Sequence, residues 1–164
     1  MTQHCTSSIC LGVDPGSLAC GWAVVSRSTI SKMELIDSGT IVSKSKTTFD
    51  KRILSIHLKL TEVIARYNPY FMAVESPFVE KNAATAIKLG QIRGGILLTA
   101  GLHNLSVGDY NPMQVKKAVS GYGWADKNQV GKMVMLILNL REALSSDAAD
   151  AAAVAISHLL TTRR

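Results

Sequence analysis

Ser8-Ile9-Cys10-Leu11-Gly12-Val13-Asp14-Pro15-Gly16-Ser17 organises everything that follows it in the chain. Ile9, Cys10, Leu11 and Val13 make a nearly continuous apolar run, the pattern of a central strand covered on both faces. Pro15 has no N–H to donate and Gly16 permits a sharp turn, so the strand stops there. Asp14 is left at the carboxyl end of a buried strand. Asp also suits the first position of a β-turn. Turn former and active-site acid are both open readings until the other acids are placed.

Working outward, the apolar run Ala19–Val25 follows closely enough to be an antiparallel hairpin partner, and a third run lies near Lys32–Val42. In Lys46–Tyr67 the residues Phe49, Ile53, Ile56, Leu60, Val63 and Ile64 recur at spacings of three and four, which predicts one apolar helix face. Asn68-Pro69 ends it. Tyr70–Val74 is another apolar strand ending in an acid, Glu75, and Ser76-Pro77 breaks it.

Asn82 or Thr85 can start a long helix over Ala83–Gly101, interrupted by Gly90, Gly94 and Gly95. Each mid-helix glycine costs about 1 kcal/mol relative to Ala, a cost expected where another backbone packs close, as at a subunit interface. A short strand over Leu105–Asp109, a short helix over Pro112–Val119 and an exposed loop over Ser120–Ala125 come next. A helix over Asp126–Leu140 and a last one after Ser145-Ser146, reaching about Leu160, complete the order. That order predicts an α/β fold with a five-stranded mixed sheet flanked by helices on both faces.

The 164 residues, 47% hydrophobic and 18% charged, suit one domain spanning 1–164. No segment reaches the roughly 18 apolar residues needed to span a bilayer, and the start lacks a secretory pattern. Cys5, Cys10 and Cys20 are odd in number and without Cys-x-x-Cys spacing, and Cys10 and Cys20 fall in apolar runs, as expected of reduced core residues in a cytoplasmic protein. His4, His57, His103 and His158 form no zinc pattern. Lys and Arg outnumber Asp and Glu by 18 to 12, a balance that suits a polyanionic partner or simply a solvated lysine surface.

The acids narrow the choice. If the helix over Lys46–Tyr67 is a crossover, the strand of Glu75 lies parallel to the first, and both carboxylates emerge at one sheet edge. Asp147 and Asp150 share a face in the first turn of the last helix, where the helix dipole would also favour them and Ser146 can cap. Alanines around them let that helix lie tight on the sheet. Four acids together would repel by about 4 kcal/mol per close pair at an effective dielectric near 20. Such a cluster calls for divalent cations, and oxygen ligands without His or Cys point to Mg²⁺ or Mn²⁺. Two such ions can activate water and stabilise a leaving oxygen in phosphodiester cleavage.

Leu-Gly-Val-Asp-Pro-Gly-Ser, Val-Glu-Ser-Pro-Phe-Val-Glu-Lys-Asn, Lys-Leu-Gly-Gln-Ile-Arg-Gly, Gln-Val-Lys-Lys-Ala-Val-x-Gly-x-Gly and Asp-Ala-Ala-Asp-Ala occur in this order. The ordered set, from about Ile9 to His158, resembles the RuvC family of Holliday junction resolvases. The resemblance implies a ribonuclease H-like fold and a homodimer that nicks two opposing strands of four-way junction DNA. Asp14, Glu75, Asp147 and Asp150 would be the catalytic, metal-binding set, holding two ions, Mg²⁺ or Mn²⁺. Hydrolysis would leave ligatable 5′-phosphate ends without a covalent protein intermediate. Phe78 falls where the family carries an aromatic that stacks near the crossover.

Lys116 and Lys127 match family lysines near the scissile phosphate, while Lys81, Lys117 and Arg93 are further DNA-binding candidates. A branch-migration complex of the RuvA and RuvB kind is an implied partner. The chain departs from the family pattern at Glu80, beside the stacking aromatic, and at Trp124, where a small residue is usual; Trp124 reads as a second stacking group or a hydrophobic anchor. Its end, soon after His158, lacks the longer tail of many relatives.

Other readings compete with this one. Val-Asp-Pro-Gly-Ser also resembles the first phosphate loop of actin-like ATPases, which need a second half that 164 residues cannot supply. A ribonuclease H-like RNA-processing nuclease of the YqgF type would share the first motif. A non-catalytic junction-binding protein would bind junctions and never cut them.

Overall fold

A computed structural model describes residues 8–29, 32–76 and 82–162. Five strands, β1 (Ser8–Asp14), β2 (Ala19–Thr29), β3 (Lys32–Val42), β4 (Phe71–Glu75) and β5 (Ser106–Tyr110), form one sheet in the order β3-β2-β1-β4-β5. β1 pairs antiparallel with β2 and parallel with β4, and β4 pairs parallel with β5. The hairpin and the parallel crossover expected from the sequence are therefore both present. The crossover is α1 (Phe49–Tyr67), which starts at Thr48 rather than near Lys46. It ends at Asn68, in the left-handed conformation with φ 45°. Asn tolerates that conformation and Pro69 blocks continuation.

Alternation along the strands splits the interior into two cores. Leu11, Val13, Met72 and Val74 face one way and meet Ile56, Leu60 and Val63 of α1, with Ile92 and Ile96 of α2 (Ala83–Leu102). Cys10 and Ala73 face the other way, toward Val115 and Val119 of α3 (Pro112–Ser120), Val130 and Val134 of α4 (Lys127–Ile137), and α5 (Ser146–Thr161). Every residue of α5 from Ala151 to Leu159 is buried, because it lies against the sheet with α3 and α4 packed over it. That explains why its sequence is almost wholly small and apolar.

What seats α5 is a ladder row of small residues running across four strands. Ala23 pairs with Gly12, Gly12 with Ala73, and Ala73 with Gly108. A Cβ on Gly12 would run into the carbonyl oxygen of Ala151 and lie 2.8 Å from the amide nitrogen of Ala155. One added to Gly108 would run into the His158 ring. At Gly12 the backbone of α5 thus approaches the sheet directly, and at Gly108 the His158 ring fills the place of the missing side chain.

Three local expectations change. Ser145, not Ser146, is the N-cap residue of α5, and it makes no side-chain cap. α4 ends at Ile137, short of Leu140, with Leu138 at its C-cap. In α2, close packing within the chain explains only Gly95, where an added Cβ would lie 2.9 Å from Ile53; Gly90, Gly94 and Gly101 face open space. Asn82 is the N-cap of α2, accepting from the amides of Ala84 and Thr85. Among the described residues no helix is long and apolar enough to cross a membrane.

Gly12→Ala forces α5 off the sheet, so a loss of at least about 1–3 kcal/mol is expected. In a chain of this size that lowers Tm by about 2–4 °C per kcal/mol. Gly131→Ala, whose methyl meets nothing within 4 Å, is the control and should be neutral or stabilising by about 1 kcal/mol. Equal Tm values for Gly12→Ala and wild type would contradict the direct seating of α5.

Candidate active site

The row of the sheet beyond the small residues carries the acids. Val13 pairs with Val74, so the next residues on the two parallel strands are Asp14 and Glu75. Asp14 is opposite Gly21 across the hairpin. A Cβ there would run into the carbonyl oxygen of Asp147 and lie 3.1 Å from its Cβ, so the first turn of α5 is pressed against this strand edge. Acids from β1, β4 and α5 are brought to one corner by that contact.

Asp14, Glu75 and Asp150 open into a cavity of about 230 Å³, whose rim carries Lys116 and Lys127 and whose apolar wall includes Val115 and Val130. Asp147 does not line it, although its charge acts on Asp14. Both lysines are fixed by helix starts. Pro112 and an Asn111–Gln114 capping box set the first turn of α3, and an Asp126–Gln129 box sets that of α4. The Lys127 Nζ reaches Oδ2 of Asp150 at 2.6 Å. Its pKa is raised by the hydrogen bond to Asp150 and by the surrounding carboxylates. A larger cavity of about 570 Å³ adjoins this one through Lys127 and Asp150, but its walls are otherwise mostly apolar or neutral, with Val134, Met135 and Leu144.

Burial, then the charges of Asp150 and Asp147, pushes the Asp14 carboxyl up to about 7, against the pull of Lys127. Glu75 is likewise pushed up to about 7 by burial and then by Asp14 and Asp150, with Lys127 and Lys116 opposing. Crowded carboxylates at a half-buried strand edge are the arrangement that a hard cation relieves, and all the donors are oxygens. In donor chemistry and charge the residues fit divalent cations. Among the described residues no three acidic, His or Cys side chains already close on one point, and Asp150 is paired with Lys127.

The remaining candidates fall outside this cavity. Lys117 is exposed on α3. Arg93, on α2, is committed within the chain: it pairs with Asp109, which in turn accepts from the hydroxyl of Ser76, the residue after Glu75. Sequence reading offered Arg93 as a DNA contact and missed this chain of bonds, because nothing in the sequence sets Asp109 beside it. Phe78, Lys81 and Glu80 lie outside the described residues. Cys10 and Cys20 are buried free thiols.

The raised carboxyls set the pH dependence of the cation-free protein. The native state binds more protons than the unfolded chain between the ordinary carboxyl range and about pH 7, so stability is greatest below that range and falls as pH rises through it. Tm in chelator should be higher at about pH 5 than at about pH 8, and Asp14→Asn should flatten the difference. Mg²⁺ or Mn²⁺ should raise wild-type Tm most at the alkaline end. An unaltered pH profile in Asp14→Asn would show that the acids do not crowd.

The family described as Crossover junction endodeoxyribonuclease RuvC matches residues 10–158. The chain is 44% identical over 150 residues to the RuvC of Citrifermentans bemidjiense, covering 92% of this chain and 91% of that one. It is 40% identical over 153 residues to the RuvC of Caldicellulosiruptor saccharolyticus, covering 93% and 92%. Thermus thermophilus RuvC in complex with a Holliday junction substrate superposes with a TM-score of 0.89 at 34% identity, over 93% of both chains. A five-stranded mixed sheet, an acid-lined corner and these likenesses lead to one assignment: the chain belongs to the RuvC family, the crossover junction endodeoxyribonucleases.

Proposed function

We propose that the Holliday junction resolvase activity of this chain resides in the cavity of Asp14, Glu75 and Asp150, with Asp147 completing the acidic set. The observation that carries the reading is that acids from three separate elements and two rim lysines meet in one cavity. The acids would hold two divalent cations, Mg²⁺ in the first place and Mn²⁺ as a substitute. Bound there, the cations supply water activation and charge stabilisation at the departing 3′ oxygen. Lys116 and Lys127 stand on the rim where the backbone phosphate of a four-way junction would enter, and their charge holds it. Water adds to phosphorus, the P–O3′ bond breaks, and a 3′-hydroxyl and a 5′-phosphate remain. The 164 residues act as one nuclease domain in the cytoplasm, consistent with the buried free thiols.

Two opposed nicks need two such sites. The homodimer would form on α2, where Ile87, Leu98 and Leu102 are each 63% exposed and share a face with Gly94, open to solvent. Spacings of seven, eleven and fifteen residues from Ile87 to Gly94, Leu98 and Leu102 along one helix make an apolar stripe with a shallow centre, which a second helix can approach closely. A RuvA/RuvB-type branch-migration complex would deliver the junction.

The test is a nicking assay on a synthetic four-way junction and on linear duplex of the same sequence, with Mg²⁺ or Mn²⁺ added or withheld. Paired, cation-dependent nicks are expected on the junction alone. Asp14→Asn and Glu75→Gln should each lose activity by on the order of 10²-fold or more, with binding retained. Leu98→Lys should sediment as a monomer and lose the pairing of nicks. Binding without cutting in every metal would favour a non-catalytic junction binder, and cutting of RNA in preference would favour an RNA-processing nuclease.

A further inference from the structure

Between the two lysine-bearing helices runs a loop whose aromatic side chains have no place in the core. Trp124 is 72% exposed and Tyr122 61% exposed. Their backbone is nonetheless pinned. Gly121, at φ 78°, closes α3 by donating to the carbonyl of Lys117. The Ser120 hydroxyl donates to the carbonyl of Lys116 at 2.7 Å and accepts from the amide of Tyr122. Ala125 is buried and its amide donates to the carbonyl of Tyr122, so the loop is tied down immediately after Trp124. Two residues further on, Lys127 is fixed by its helix start and by Asp150.

A hydrophobic anchor would be covered by the protein, and Trp124 is not. The neighbours point to its ligand. Lys116 and Lys127 stand on the cavity rim, Lys117 is exposed beside them, and Met113, 45% exposed, lies against Gly123 between the two aromatics. Aromatic faces interleaved with ammonium groups match a strand whose phosphates take the charges and whose unstacked bases take the rings. Trp124 is three residues from Lys127, at most about 10 Å of chain, or about three base steps of 3.4 Å.

We propose that Trp124, flanked by Tyr122, is a stacking platform for an unpaired nucleobase of the junction strand next to the phosphate held at the acidic cavity. The proposal rests on the resolvase reading and adds a second contact, on the α3–α4 side of the cavity. Stacking is tolerant of base identity. Trp124 therefore selects for unpaired strand at the crossover over continuous duplex, where bases are already stacked on one another.

The test uses the full chain in chelator, so that binding is read without cutting. Trp22 and Trp124 are the two tryptophans and Trp22 is only 5% exposed, so a change in indole emission reports Trp124. A four-way junction should quench the emission and linear duplex of the same sequence should not. Trp124→Ala should bind the junction on the order of 10-fold more weakly. Its affinity for linear duplex and its slope of log K against log salt should be unchanged, since no phosphate contact is lost. Trp124→Phe should restore most of the affinity. Unchanged junction affinity in Trp124→Ala, no emission change, or a Phe variant as weak as Ala would each overturn the platform. Cation-dependent nicking by wild type, run in parallel, reports the resolvase reading separately. If wild type nicks junctions and Trp124→Ala binds them equally well, the platform alone fails; if wild type neither binds nor nicks them, both fail.

Discussion

Direct contact between the α5 backbone and the sheet is the constraint on which the rest depends. Ala23, Gly12, Ala73 and Gly108 line up across four strands only because the register pairs them. Any larger side chain in that row would lift α5 outward, and the first turn of α5 carries Asp147 and Asp150. A furrow of missing side chains is therefore what brings helix carboxylates to the strand carboxylates of Asp14 and Glu75. The alanine-rich sequence of α5 is the complementary half of the same contact. Close packing leaves little freedom to adjust, since interiors transmit displacement rather than absorb it.

This proximity works against stability. Burial and like charge push both Asp14 and Glu75 up to about 7, so near neutral pH the cation-free corner carries groups that the folded state would prefer protonated. Lys127 offsets part of that repulsion through Asp150. The lysine is exposed, so its contribution to stability is small and its position at the cavity rim is the more telling fact. A site assembled at the expense of the resting fold is the usual mark of function over packing.

Much of this was legible in the sequence, and for a physical reason. Apolar runs that end abruptly in an acid, as at Val13-Asp14 and Val74-Glu75, carry their strand identity in local pattern. The single crossover between them, α1, then forces the two ends to the same edge. The two acids also share a face, because each lies two residues beyond a small inward residue, Gly12 or Ala73. That was hidden, as was the row itself, because Ala23 and Gly108 acquire their meaning only through register with distant strands. The same holds for Arg93, whose partner Asp109 sits on the neighbouring strand, and for Asp147, which lies against Gly21 rather than in the cavity wall. The loop of Trp124 read as exposed, but the direction of its ring did not: a tryptophan between Gly123 and Ala125 fits an anchor and a protruding ring alike.

The most direct measurement of the central claim is calorimetric titration of Mn²⁺ into wild type and Gly21→Ala, each shown to be folded by circular dichroism. Gly21 touches no cation, but a methyl there displaces the Asp147 carbonyl and with it the first turn of α5. Seating of α5 predicts Mn²⁺ affinity about 10–100-fold weaker in a folded Gly21→Ala protein, the size of effect expected from disturbing groups behind the ligands. Equal affinity in the two proteins would contradict it, and would mean that the acids meet however the first turn of α5 is seated.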